Sequence, residues 1–173
     1  MRLDETFYRA PATVLAPRLL GQVLCRRVDG EVLRARITET ECYFGEEDTA
    51  CHAHRGLTKR TATLYRAGGI AYVYLCYGIH SLLNVVTGEE GHPEAVLIRG
   101  VVGADGPGRV TRLLHIDCGL NGVDLCRSEE LWLEAGEPLA YTALPRVGIG
   151  YASAEDQTRP WRYRAAVSDK RQG

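Results

Sequence analysis

The sequence predicts an α+β fold dominated by antiparallel strands, and three observations carry that expectation. Asp29-Gly30 separates two strand-like runs, Gln22–Val28 and Glu31–Tyr43, which is the strongest short-range hairpin signal. Gly78-Ile79 separates Ile70–Tyr77 from His80–Thr87, both rich in Val, Tyr and Leu, so a second hairpin is expected. Helical patterning is confined to short stretches near residues 11–20 and 109–116. At 173 residues, with no repeat, low-complexity tract or linker, the chain 1–173 is of a size for one domain with a single core.

The elements follow in order. Val14, Leu15, Pro17, Leu19 and Leu20 precede Gly21, which reads as a short helix with a glycine stop. The first hairpin comes next, then a polar, irregular stretch over 44–69, then the second hairpin. Glu94–Val102 is a further strand. The loop Gly103–Gly108 holds three glycines and Pro107, and Arg109–Ile116 looks helical. Glu130–Glu134 and Val147–Tyr151 are expected to be short strands.

Composition narrows the class. The chain is 45% hydrophobic and 25% charged, ordinary for a folded domain and unlike a disordered or collagen-like chain. No run of about 18 apolar residues is present to span a membrane, and the first residues do not form a secretory signal. Six cysteines, none in a Cys-x-x-Cys pair, read as buried thiols. The net charge of −1 does not by itself advertise a nucleic-acid binder. Within that average, His52–Arg66 holds Arg55, Lys59, Arg60 and Arg66 and no acid, while Asp124–Glu137 is acidic. That asymmetry fits either one basic face or scattered solvated charge.

Polar residues stand in apolar places. Strand side chains alternate faces, so Leu33, Ala35, Ile37, Glu39, Glu41 and Tyr43 are expected to share one. The apolar stripe then runs into two carboxylates, which either need partners or mark where the strand emerges into water. Arg99 follows Ala95-Val96-Leu97-Ile98, a buried-strand pattern, and its guanidinium calls for an anion, with Glu39 or Glu41 the candidates. Asn84 interrupts Leu82-Leu83-Asn84-Val85-Val86, and a buried amide without a partner costs about 1–3 kcal/mol. Together these residues favour a polar pocket set into the sheet. Nine tyrosines against two phenylalanines point the same way. Tyr77, beside a tight turn, is a candidate wedge for a base stack.

The ordered segments Arg36–Tyr43, Glu47–His52, Ala71–His80, Leu83–Val86, Ala95–Arg99, Asn121–Leu125 and Arg146–Gly150 resemble the alkyladenine type of 3-methyladenine DNA glycosylase. Their order and spacing match that family across almost the whole chain. The resemblance implies one compact α+β domain on a curved antiparallel sheet with a protruding hairpin. It implies a monofunctional hydrolase of base excision repair that flips damaged purines from duplex DNA without metal or cofactor, as a cytoplasmic monomer. It implies that Glu41 activates the attacking water, that Arg99 pairs with Glu41 and helps hold that water, and that the Val147 backbone carbonyl is a third water contact. Tyr43 and Tyr74 would sandwich the flipped base, with His52 lining the pocket and Asn84 at its floor crowding the amino group of guanine. Tyr77 would be the wedge, with Ile79 beside it where some members carry methionine, and Arg55, Lys59 and Arg60 would meet the DNA backbone. Residues 162–173 match the family poorly.

Two other classes compete. Cys42, Cys51, His52, His54 and Cys76 could ligate zinc, as in base deaminases, but the chain lacks their Pro-Cys-x-x-Cys element. A non-catalytic nucleic-acid binder would use the tyrosines and gain nothing from Glu41 near phosphates.

Overall fold

In the computed structural model, which describes residues 1–166, nine strands form one curled antiparallel sheet with short helices on it. Asp4 caps α1 (Glu5–Tyr8) by accepting from the Phe7 amide at 3.2 Å. The N-terminus of α2 (Ala12–Arg18) follows Pro11, which has no capping side chain; the buried Glu94 carboxylate accepts from the Ala12 amide at 2.7 Å instead.

Strands β1 (Val23–Val28) and β2 (Glu31–Phe44) form the first hairpin around Asp29-Gly30, both at positive φ as a tight turn of this hand requires. Strands β3 (Ala71–Cys76) and β4 (His80–Thr87) form the second. Its turn holds three residues, Tyr77 to Ile79, rather than the expected pair, with Tyr77 at φ 52° and Gly78 at φ 67°. The central order is β3-β4-β5-β2-β1-β7, with β5 spanning Glu94–Val101 and β7 spanning Leu131–Glu134. A short β6 (Ala104–Asp105) folds back on β5 before α3 (Pro107–Leu113), whose proline sits where no amide partner is needed.

Like α1 and β6, three later elements lie beyond the expected set. Strands β8 (Tyr141–Leu144) and β9 (Arg162–Ala165) pair with each other, and β9 pairs with β2. Residues 162–165 of the poorly matched tail therefore belong to the sheet, while residues 167–173 lie outside the described residues. Helix α4 (Ala154–Thr158) is capped by Ser153. The strand expected over 147–151 is instead a loop, in which Gly148 takes φ 73°.

One face of the sheet packs on α2 and α3. Ile37, Cys42, Leu83, Val85, Val96 and Ile98 join Leu15, Ala16 and Val110 in the main core. Thr40 donates to the Ala16 carbonyl at 2.7 Å, and Thr111 to the Ser81 carbonyl at 2.6 Å, which tie both helices down. The opposite face of β3, β4 and β5 carries Tyr72, Tyr74, Asn84, Leu97 and Arg99.

Candidate active site

The expectation that Glu39 and Glu41 continue the Leu33–Ile37 stripe fails, and the failure builds the site. The β2–β5 ladder is irregular here: Ile37 pairs with Val101, Glu39 with Gly100 and Thr40 with Ile98, so Thr38 is left unpaired on β2 and Arg99 on β5. An extra residue in a strand reverses which parity faces inward. Before it Ala35 and Ile37 face the core; after it Thr40 and Cys42 do. Glu39, Glu41 and Tyr43 are thereby turned to the opposite face, beside Arg99. Gly100 makes the room, because a Cβ there would stand 3.1 Å from Thr38 Oγ1 and 3.2 Å from the Glu39 Cβ.

Glu41 is fully buried, and three groups donate to it. Arg99 Nη1 and the Tyr43 hydroxyl reach Oε1 at 3.3 and 3.2 Å, and the Val147 amide reaches Oε2 at 2.7 Å. Val147 therefore touches Glu41 through its N–H, whereas the resemblance drew attention to its carbonyl. Arg99 also donates to Glu39 at 3.1 Å, so it meets both candidate anions, and Arg162 approaches Glu39 at 3.4 Å. Burial pushes the Glu41 carboxyl above its ordinary range, against the pull of Arg99 and the two hydrogen bonds.

The aromatic side chains stand around this carboxylate. A small cavity of about 40 Å³ is lined by Tyr43, Cys51, His52, Tyr72, Tyr74 and Asn84, among others. It shares Tyr43, His52 and Tyr74 with an open cleft of about 840 Å³ whose wall includes Glu41, Arg99 and Val147. His52 and Tyr74 have ring centroids 4.5 Å apart, so they form one wall together. His52 Nδ1 is 3.0 Å from the Tyr72 hydroxyl, and burial together with nearby Arg60 favours its neutral form. Asn84 donates to the Tyr72 carbonyl at 3.2 Å and lines the small cavity. Burial likewise keeps the Tyr43 and Tyr74 phenols protonated.

At the mouth of the cleft the second hairpin ends in Tyr77 and Ile79, 91% and 73% exposed. Arg60 sits 5.7 Å from the Tyr74 ring centroid and lines the cleft; Arg55 and Lys59 are exposed on the same loop. Arg109 and Arg112, at and after the start of α3, line the cleft too; sequence reasoning assigned them nothing. Among the described residues no group of three or more His, Cys, Asp and Glu is placed to hold a metal ion. No helix among them is long and apolar enough to cross a membrane.

Sequence reasoning also gave no role to a second buried pair. Arg146 donates to both oxygens of Asp48, at 2.6 and 3.0 Å, with both side chains almost wholly buried. Its guanidinium lies 5.0 Å from the ring centroids of both Tyr43 and Trp161. Asp48 and Arg146 are distant in sequence, and although each lies in a segment that matches the family, Glu47–His52 and Arg146–Gly150, nothing local to either marks them as partners.

The chain was compared with known proteins. Residues 6–104 and 103–169 match the model of the family described as methylpurine-DNA glycosylase. A relative from Borreliella burgdorferi is 41% identical over 175 residues, covering 93% of this chain and 94% of the relative. A Methanocella arvoryzae relative is 40% identical over 182 residues, covering 93% and 90%. One from Myxococcus xanthus is 42% identical over 173 residues, covering 92% and 89%. Each carries the name "Putative 3-methyladenine DNA glycosylase". With a family match along nearly its whole length and relatives of that identity and coverage, the chain belongs to the methylpurine-DNA glycosylase family.

Proposed function

We propose that this protein is a monofunctional DNA glycosylase. It flips alkylated or deaminated purines out of duplex DNA and hydrolyses the N-glycosidic bond with a water activated by Glu41, leaving an intact abasic strand. The observation that carries this reading is a fully buried carboxylate, held by three donors, in the wall of an aromatic cleft. A site that only binds DNA would gain nothing from an acid kept there at a desolvation cost.

The steps follow from the residues. Arg60, Arg109 and Arg112, with Arg55 and Lys59 on the adjoining loop, supply positive charge for the phosphates. Tyr77, projecting from the hairpin tip, fills the space that the extruded nucleotide leaves. The base enters between Tyr43 and the Tyr74–His52 wall, where stacking is worth about 1–3 kcal/mol and tolerates several purines. Asn84 closes the floor and disfavours an exocyclic amino group. As the sugar acquires oxocarbenium character, the Glu41 carboxylate stabilises it and takes a proton from the water that adds to C1′. The bonding pair returns to the purine: a base alkylated at N3 or N7 leaves neutral, whereas hypoxanthine leaves as its anion and takes up a proton from solvent water. Arg99 and the Val147 amide fix the carboxylate in place, and the Val147 carbonyl is a contact for the water.

A lyase route would need an amine at the sugar. The chain has two lysines, of which Lys59 is exposed on the basic loop and Lys170 lies outside the described residues. A panel of single-lesion duplexes, incubated with and without borohydride, tests the reading. Free base should appear, and strand scission only after alkali. A covalent protein–DNA adduct, or a nick before alkali, would overturn the monofunctional reading; no release from any alkylated or deaminated purine would overturn the activity.

A further inference from the structure

Buried ion pairs are weak sources of stability, because the desolvation of both partners offsets their attraction. The Arg146–Asp48 pair is buried further than most, and it is not even fully satisfied. Among the described residues the Arg146 Nε has no hydrogen-bond partner. An apolar pair of the same volume would fill the space without that penalty. The arrangement therefore calls for a reason beyond stability, and its contacts supply one.

Asp48 is fixed by the amides of Phe44 and Ala50, both at 3.0 Å, so its carboxylate is locked to the end of β2. Arg146 adds a bond to the Cys42 carbonyl at 3.0 Å and one to the Asp156 carbonyl at 3.3 Å. The guanidinium thus joins the loop after β8 to the strand that carries Glu41. Its next residue in the chain is Val147, whose amide is the shortest of the three donors to Glu41. On its other side the guanidinium backs the Tyr43 ring.

We propose that Arg146 is a positioning residue for base excision: its ion pair with Asp48 holds the Val147 amide against Glu41. The inference rests on the reading of Glu41 as the general base. Loss of the clamp withdraws one donor from the carboxylate and so favours its protonated form. The other groups facing Glu41 stay as they are: Arg99 from β5, backed by Glu39 and by Arg162 of β9, and the Tyr43, Tyr74 and Tyr151 phenols, which remain neutral.

The test is the pH profile of single-turnover excision on a hypoxanthine duplex for Arg146→Lys, Asp48→Asn, Val147→Pro and the Arg146→Lys/Val147→Pro double variant. Arg146→Lys keeps a charge but cannot span Asp48 and the Cys42 carbonyl together. Val147→Pro removes the donated N–H and leaves the clamp. Excision on the acid side should fall roughly ten- to a hundred-fold for each single variant, the worth of one hydrogen bond to a charged group. The midpoint of the acid limb should rise, and activity should recover toward wild type at higher pH. The double variant should have the midpoint of Val147→Pro alone, because both changes act through one bond. A loss uniform across pH, or additive midpoint shifts in the double variant, would overturn the proposal. If Arg146→Lys fails to fold, Asp48→Asn and Val147→Pro carry the same readout, and an unmoved midpoint in either overturns it. Glu41→Gln run in parallel separates the two claims. An inactive Glu41→Gln beside an unmoved Arg146→Lys midpoint defeats only the clamp, whereas an active Glu41→Gln defeats the reading beneath it.

Discussion

Replacing Glu41 by glutamine separates the cost of the site from its use. The side chain is fully buried, so the shape of the cavity survives an isosteric change. Arg99 does not become an orphan, because it keeps Glu39 at 3.1 Å. The new side-chain amide can still accept from the Val147 N–H and donate to the Tyr43 oxygen, so about one hydrogen bond, roughly 1 kcal/mol, is lost. What disappears entirely is the base of the proposed mechanism. Such a loss is worth about 10²–10⁴ in rate, or roughly 3–5 kcal/mol of barrier.

The stability of the same variant has an opposite and pH-dependent sign. Burial makes the folded state hold the Glu41 proton more tightly than the unfolded chain does. Below the unfolded pKa both states are protonated and the group contributes no pH dependence. As pH rises through the window from the unfolded to the raised folded value, the unfolded chain ionises first, and wild-type stability falls. Glutamine has no such window. The melting temperature of Glu41→Gln minus that of wild type should therefore increase with pH across that window and level off above it. Wild-type excision should rise with pH through the folded value, above the ordinary carboxylate range, as Glu41 ionises. The assays are single-turnover base release and thermal melts of both proteins from about pH 4 to pH 9. Near-normal release by Glu41→Gln would remove the base assignment. A melting difference that is flat or falls with pH would refute the claim that burial outweighs Arg99.

Two further outcomes follow from the cleft. Tyr77→Ala should slow excision of a paired lesion far more than of a bulged or single-stranded one, whose base is already less stacked; comparing the two substrates checks this, and equal losses would dismiss the wedge. Asn84→Ser should raise release of alkylated guanine relative to hypoxanthine, and an unchanged ratio in a folded variant would leave Asn84 a structural residue bonded to the Tyr72 carbonyl.

What could be seen from sequence depended on whether the cause was local. The two hairpins were legible because their turns need residues that tolerate positive φ, and Asp29-Gly30 and Gly78 are of that kind. Arg99 and Asn84 were legible because each breaks an apolar run. β8 was missed because Tyr141, Thr142 and Ala143 are exposed, so no alternation marks the strand. The loop at 147–151 resembled a strand in composition, yet Gly148 takes a conformation no regular strand uses. The bulge in β2 was the consequential miss. Its only trace lay in another strand, where Gly100, directly after Arg99, stands in place of a side chain and admits the Glu39 Cβ.

That bulge explains how one strand serves two purposes. Without it, the parity that places Ile37 in the core would place Glu39 and Glu41 there too, against α2 and among Leu15, Val96 and Ile98. Two carboxylates in that layer would have no cation to meet, and the fold would not tolerate them. With it, the helix-facing side of β2, β4 and β5 stays apolar, and its packing carries stability. The opposite side of the same strands holds groups that packing alone would not select: Glu41, Arg99, Asn84 and the tyrosines. A sheet that is rigid because one face is densely packed can hold a desolvated carboxylate to a fixed geometry on the other. An extra residue at Thr38 on β2, answered by one at Arg99 on β5 and given room by Gly100, is what assigns Glu41 to the face where its burial can be put to chemical use.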